Sequence, residues 1–266
     1  MPGTSGNREL RQLILTMAKD LGFPATTVCL MINDPLSGKE IEICNVVVTV
    51  PAAGAGSSTV GPLWLGAHFD TRPICDQDPD PAKRGLPVPG ANDGASGTAV
   101  LLHLMELMGQ QAPATVVNLL FFDGEDSGPA GDASGFCLGS SHLAQTWQEF
   151  GSPLAGSAPR GLILVDMVGG RGLQIPMEGY SLRNAPDWTI AVFDRAASLG
   201  LTAFVAREGR PVYDDHVPFL AQGIAAVDLI DFDYPQWHTV ADVPAACSPN
   251  SLWQVGTLLW DLIQHP

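Results

Sequence analysis

Positive charge is scarce in this 266-residue chain: 13 lysines and arginines stand against 28 aspartates and glutamates, for a formal net charge of −15. A surface this acidic repels phosphates at long range, which argues against a general affinity for nucleic acid or anionic membranes. No apolar run is long enough to cross a bilayer, and the opening Met1-Pro2-Gly3-Thr4-Ser5-Gly6-Asn7 lacks the basic and apolar parts of a signal peptide, so the chain reads as soluble. The five cysteines, Cys29, Cys44, Cys75, Cys137 and Cys247, contain no Cys-x-x-Cys pair. That excludes a cysteine zinc knuckle, and their odd number and scatter offer no disulfide framework. Cys44 and Cys137 lie in apolar stretches, where a buried inert thiol is the default. Also missing are a Gly-x-Ser-x-Gly elbow, a Gly-Lys-Ser/Thr phosphate loop, a His-Glu-x-x-His helix and any internal repeat.

What is present is a sizeable core: 45% of the residues are apolar, enough for one α/β domain spanning residues 1–266. Leu10, Leu13, Ile14, Met17 and Leu21 recur at helical spacing before Gly22, which predicts an opening helix. A β-rich run covers Ile41 to Val50, and the Gly/Ala/Ser stretch from Ala52 to Ser58 reads as a hairpin tip before a strand over Leu63 to Ala67. Asp70 to Gly90 is proline-rich and aperiodic, a surface loop of the kind that builds sites. A helix beginning near Asp93 leads to a strand over Val116 to Phe122, and further strand-like runs cover Leu162 to Val165, Phe204 to Val205 and Ala225 to Ile230. Strands that alternate with helices and are apolar on both faces predict a three-layer sandwich, a mostly parallel twisted sheet between helices.

Five metal-suited residues are strung through these contexts: His68, Asp93, Asp126, Asp166 and His238. Imidazole and carboxylate together suit zinc, and Glu125, directly before Asp126, is placed as a proton shuttle. His68, Asp126 and Asp166 fall at or just past the carboxyl ends of strands, where ligands bind in such sheets. Asp70 shares the face of His68 and could orient its imidazole. Each residue also has a plainer reading. Asp93 could be a helix N-cap, and His238, beside Trp237, a surface histidine. Adjacent Glu125 and Asp126 after an apolar strand must be solvated or compensated, and Asp166 inside an apolar run calls for a ligand or a hydrogen-bonded network. In Tyr213-Asp214-Asp215-His216 the acids could cap a helix, or one of them could hydrogen-bond Glu125. His103 and His142 read as structural, His265 as tail, and Asp76, Asp78 and Asp80 as turn residues, because Pro81 and the lack of the required Gly and Glu rule out a calcium loop.

In this order Ala67-His68-Phe69-Asp70, Asn92-Asp93-Gly94-Ala95-Ser96-Gly97, Asp123-Gly124-Glu125-Asp126, Val165-Asp166-Met167 and Trp237-His238-Thr239 resemble the zinc aminopeptidases and the related glutaminyl cyclases, from about Gly3 to Ile263. The resemblance implies a phosphorylase/hydrolase-like α/β fold with a central mixed sheet, and it suggests secretion or the periplasm. It also implies that Asp93, Asp126 and His238 bind the one zinc that cyclases keep, with Glu125 as general acid/base. In the two-metal aminopeptidases the equivalents of His68 and Asp166 hold a second zinc and Asp93 bridges. Cyclases retain both residues without a second metal.

Asp214 matches the acid that cyclases hydrogen-bond to their glutamate and to the counterpart of Asp166, and Trp237 matches their pocket-forming tryptophan. Animal cyclases have glutamate where Asp126 stands and a tryptophan shortly after it; here Ser127-Gly128 follow and Phe136 is the candidate substitute. The cysteine pair that brackets the His-x-Asp strand in animal enzymes is also missing, so bacterial-type cyclases are the better likeness. The expectation is a zinc-dependent glutaminyl cyclase acting on peptides with a free N-terminus, with catalytic Glu125, Asp214 and Asp166. A zinc aminopeptidase is the alternative. A non-catalytic binding domain of this fold would typically have lost metal ligands, and this chain has lost none.

Overall fold

The computed structural model describes residues 1–54, 61–149, 151–156 and 158–266. In chain order the elements are α1 (Ser5–Asp20), β1 (Ala25–Asn33), β2 (Glu40–Val50), β3 (Leu63–His68), α2 (Ala95–Gln110), β4 (Val117–Phe122), α3 (Leu138–Thr146) and β5 (Gly161–Asp166). They continue with β6 (Ile175–Met177), α4 (Gly179–Asn184), α5 (Pro186–Ser198), β7 (Phe204–Glu208), α6 (His216–Ala221), β8 (Ala226–Ile230) and α7 (Pro249–Gln264). The opening helix starts before the periodic run does because the Thr4 side chain accepts from the Asn7 N–H and caps it.

The six-stranded sheet has the order β1-β2-β4-β3-β5-β8, with β4, β3, β5 and β8 mutually parallel and β1 and β2 added antiparallel. It is thus mixed, and helices cover both faces. Alternation along each strand divides the core in two. Leu63, Leu65, Leu119, Phe121, Ile163, Val165, Val227 and Leu229 join α1, α2, α5 and α7 on one face. Trp64, Leu120, Phe122, Leu162, Leu164 and Ala226 join α3 and α6 on the other. Strands β3, β4, β5 and β8 are buried along their whole length, so their sequences read as continuous apolar runs.

Two glycines let α2 lie where it does. Gly94 has φ +89°, and a Cβ there would stand 2.4 Å from the Asp70 carbonyl oxygen; a Cβ on Gly97 would stand 2.1 Å from that of Val165. Only glycine brings the start of α2 this close to the ends of β3 and β5.

Four expectations are corrected. Cys44 is not an inert thiol: it is paired with Cys29 in a disulfide, because the two stand directly opposite each other in the β1–β2 register. The stretch expected as a hairpin tip joins β2 to β3, but β4 lies between those strands, so the two do not pair as a hairpin; residues 55–58 of that stretch lie outside the described residues. The run at Phe204 is not a strand of the main sheet, since β7 pairs with β6 in a separate two-stranded sheet. The Asp70–Gly90 loop is not confined to the surface: Asp70, Arg72, Cys75, Asp78 and Val88 are buried. Strand β1, which the sequence reading passed over, forms the exposed edge of the sheet.

Candidate metal centre and active site

The parallel strands deliver their acids to one rim. His68 ends β3, Asp166 ends β5, and Glu125 and Asp126 follow β4, whose register pairs His68 with Phe122. Asp214 precedes α6, and His238 lies beyond β8 in a left-handed conformation with φ +54°. Asp93 sits just before α2, but Gly94 is the N-cap and no side chain caps that helix, so Asp93 is free for another role. Asp242 clamps this turn by accepting from the Asn92 and Asp93 N–H groups at 2.9 and 3.1 Å.

Two compact donor sets result. Asp93, Asp126 and His238 each offer a ligand atom, all within 4.8 Å of one another, and so do His68, Asp93 and Asp166. In the first set Asp93 Oδ2 and Asp126 Oδ2 are buried without a hydrogen-bond partner, 3.5 and 3.4 Å from His238 Nε2. Buried carboxylate oxygens left bare are costly, and a divalent metal between them and the imidazole removes the cost. In the second set His68 Nε2 is already bonded to Asp166 Oδ1 at 3.1 Å and stands 3.3 Å from Asp93 Oδ1. His238 is therefore not a surface histidine. Burial lowers its pKa, but the Asp126 and Asp76 carboxylates outweigh that and raise it to about 9.

Asp70 does less for His68 than its placement promised, standing 3.6 Å from Nδ1, beyond hydrogen-bond reach. Its carboxylate instead accepts the Glu125 and Asp126 N–H groups at 3.1 and 3.2 Å, which fixes the turn after β4. Burial pushes the Glu125 carboxyl well above the usual range, with Asp126 adding to the effect and His68 opposing it. An upward shift moves a carboxyl toward the range in which it can both take up and give back a proton. Asp214 is near Glu125 but not hydrogen-bonded to it: its Oδ1 accepts the Asp215 N–H at 2.6 Å and its Oδ2 is unpartnered. The atom that does approach Glu125 Oε1 is the Cys137 sulfur, at 3.4 Å. Cys137, read as an inert core thiol, has φ +54° and also donates its N–H to the Glu125 carbonyl at 2.8 Å.

Above these acids opens a cavity of about 450 Å³ lined by Asp93, Glu125, Asp126, Asp166, Asp214 and His238 at its floor. Phe136, Phe232, Trp237 and Tyr213 form its walls, and Arg210 is the one arginine or lysine among the described residues that line it. The Trp237 indole stacks on His238 with ring centres 3.9 Å apart. His103 and His265 are exposed away from the site, and His142 lies in α3.

Several supporting residues escaped the sequence reading. Arg72 is buried and bonded to both Asp126 and Asp76. Asp76 and Asp78, taken for turn residues, receive hydrogen bonds from His238 Nδ1 and the Val240 N–H. Glu178 accepts from Tyr180, Ser181, Val212 and His216, and so anchors the loop that carries Asp214. No spacing motif marks these residues; a lone arginine and a lone histidine within acid-rich, apolar surroundings were the only available signal.

Known proteins resemble this chain over most of its length. Peptidase family M28 matches residues 45–263. The glutaminyl-peptide cyclotransferase-like protein of Mus musculus is 25% identical over 97% of this chain and 70% of its own length. Among solved structures, Bacteroides thetaiotaomicron glutaminyl cyclase superposes with a TM-score of 0.90 at 28% identity, covering 100% of this chain and 92% of that one. A leucine aminopeptidase precursor from the same bacterium superposes with a TM-score of 0.89 at 28% identity, covering 100% and 91%. With most of its length matched and its acidic rim at the carboxyl ends of the parallel strands, the chain belongs to peptidase family M28.

Proposed function

We propose that this protein is a zinc-dependent glutaminyl cyclase, which converts an N-terminal glutaminyl residue of a peptide to pyroglutamyl with release of ammonia. The observation that carries this reading is the asymmetry of the two donor sets. Asp93 and Asp126 hold bare oxygens toward the His238 imidazole, placed for a metal, whereas His68 is engaged with Asp166, which favours one ion over two. Zinc held by Asp93, Asp126 and His238 would act as a Lewis acid on the side-chain amide carbonyl of the substrate.

The chain's own groups do the rest. The acidic floor receives the substrate's α-amine, and Trp237 and Phe136 wall the glutaminyl side chain. Glu125 takes a proton from the α-amine as it attacks and returns one to the departing ammonia. Asp214, beside Glu125, and Asp166, which lines the same cavity, would stabilise the cationic centre that develops. The nucleophile belongs to the substrate, so the enzyme gains by orienting it and excluding bulk water. The glutaminyl cyclases among the similar proteins support the same reaction. The Cys29–Cys44 disulfide favours an oxidising compartment, the cell exterior or the periplasm.

An aminopeptidase is the second reading, favoured by the compactness of the His68, Asp93 and Asp166 set and by the similar leucine aminopeptidase precursor. The same residues would then activate water against a peptide bond. Mass spectrometry of a Gln-initiated peptide separates the two: loss of ammonia from an intact chain supports the cyclase, and release of the first amino acid supports the peptidase.

A further inference from the structure

The loop after β3 does more than connect elements. Arg72 is 1% exposed, and its guanidinium reaches in two directions. Nη1 donates to Asp126 Oδ1 at 2.8 Å, while Nε and Nη2 donate to the two oxygens of Asp76 at 3.0 and 2.8 Å. Asp76 Oδ1 in turn accepts from His238 Nδ1 at 3.2 Å. Asp126 and His238, residues 112 positions apart on different loops, are therefore joined by one side-chain bridge.

The same loop holds the His238 backbone: the Gln77 N–H donates to the His238 carbonyl at 3.3 Å, and Asp78 Oδ2 accepts the Val240 N–H at 3.1 Å. His238 has φ +54°, a conformation a histidine keeps only when its surroundings impose it. Phe136 lies over the guanidinium, 5.4 Å from ring centre to Cζ, and shields the bridge from the cavity.

We propose that Arg72 and Asp76 form a single brace that presets two of the three residues of the metal site, Asp126 and His238, and so sets the protein's affinity for zinc. Neither residue touches substrate or metal; both are positioning residues. The inference rests on the proposed zinc site but not on which reaction the site performs.

Three effects follow from the geometry. An N–H on Nδ1 of His238, held by Asp76, leaves Nε2 as the ligating nitrogen. Arg72 occupies Asp126 Oδ1, so only Oδ2 faces His238 Nε2, and Asp126 binds through one oxygen. The planar guanidinium grips Asp76 with two parallel bonds while a third reaches Asp126, a fork geometry that an ammonium does not reproduce.

The test compares wild type with Asp76→Asn, Arg72→Met, Arg72→Lys and the double variant Arg72→Met/Asp76→Asn. Zinc affinity is measured by competition with a chromogenic chelator, ligand geometry by the visible absorption of cobalt(II) protein, and folding by the melting temperature of metal-free protein. Each single variant is expected to bind zinc about 10- to 100-fold more weakly and to shift the cobalt bands. Because the brace acts as a unit, the double variant is expected to lose about as much as the worse single one, and Arg72→Lys to recover little.

Folded single variants with wild-type zinc affinity and unchanged cobalt spectra would overturn the brace, as would losses that simply multiply in the double variant. If Arg72→Met leaves no folded metal-free protein, Asp76→Asn, equal in size and still able to accept from Nδ1, carries the test by the same criteria. A wild-type protein that binds no zinc would instead sink the metal site itself, an outcome distinct from variants that match a zinc-binding wild type.

Discussion

Exchanging the Glu125 carboxylate for an amide of the same shape removes the proton carrier and little else. Glu125→Gln is therefore expected to lower kcat by about 10²- to 10⁴-fold while zinc stays bound, read by steady-state kinetics beside a metal assay. Trp237→Ala should instead raise KM and weaken the hold on His238, against which the indole stacks. Protonation sets a third expectation. Burial pushes Asp215 up to about 7, and burial with the neighbouring Asp70 does the same to Asp123. His238, whose acidic partners outweigh its burial, rises to about 9. In each case the unfolded chain gives up its proton at lower pH than the folded one, so folding loses support as pH rises. The metal-free protein should become steadily less stable from about pH 4 to about pH 9. In the opposite limb Glu178, whose burial is outweighed by His216, is held at about 2, so its contribution is present above its unfolded value and lost as pH falls towards 2. Thermal melts across pH, with zinc chelated, check both slopes.

Among the elements, α2 is the one with no room to spare. Gly97→Ala would place a methyl carbon 2.1 Å from the Val165 carbonyl oxygen, so the helix or β5 must move. A loss of about 1–3 kcal/mol is expected from the overpacking, with zinc affinity falling too because Asp93 precedes the same helix. At the other end of the sheet, the Cys29–Cys44 bridge spans a sequence separation of 15, for which chain entropy gives up to about 3 kcal/mol. Replacing both cysteines by alanine should lower the melting temperature without touching turnover, since β2 separates β1 from β4, the nearest strand that carries site residues. The strands that hold the site were legible because burial on both faces writes them as apolar runs. β1 was not, because Val28–Ile32 is a short apolar run with Cys29 and Met31 on its exposed side, so no polar alternation marks it as a strand. Nor was strand order: β4 comes to lie between β2 and β3 through contacts distant in sequence, which no local pattern records.

For the molecule as a whole, the proposed zinc site among the acids gathered at the carboxyl ends of β3, β4 and β5 would make folding and metal binding parts of one equilibrium. At a zinc concentration 100 times its dissociation constant, about 2.7 kcal/mol of stability is expected from mass action alone, visible as a higher melting temperature that chelation reverses. His68, Asp93, Glu125, Asp126, Asp166, Asp214, Trp237 and His238 were all named from the sequence; the fold brings all but His68 to one cavity with Phe136, and buries His68 against Asp93 and Asp166. For His68, Glu125, Asp126 and Asp166 the legibility has a physical cause, since charged groups at the ends of buried strands are costly unless partnered, whereas Asp93, Asp214, Trp237 and His238 were picked out by the family resemblance. Arg72, Asp76 and Glu178 were hidden because they act on other side chains across the fold, and their partners are fixed only by tertiary packing. Cys137 was misread because apolar neighbours in sequence say nothing of the glutamate it meets in space. The most direct test of the account is mass spectrometry of a Gln-initiated peptide incubated with zinc-loaded protein, with Glu125→Gln alongside. The account predicts loss of one ammonia from an intact peptide, abolished in the variant; release of the free N-terminal amino acid, or no change to the peptide, would contradict it.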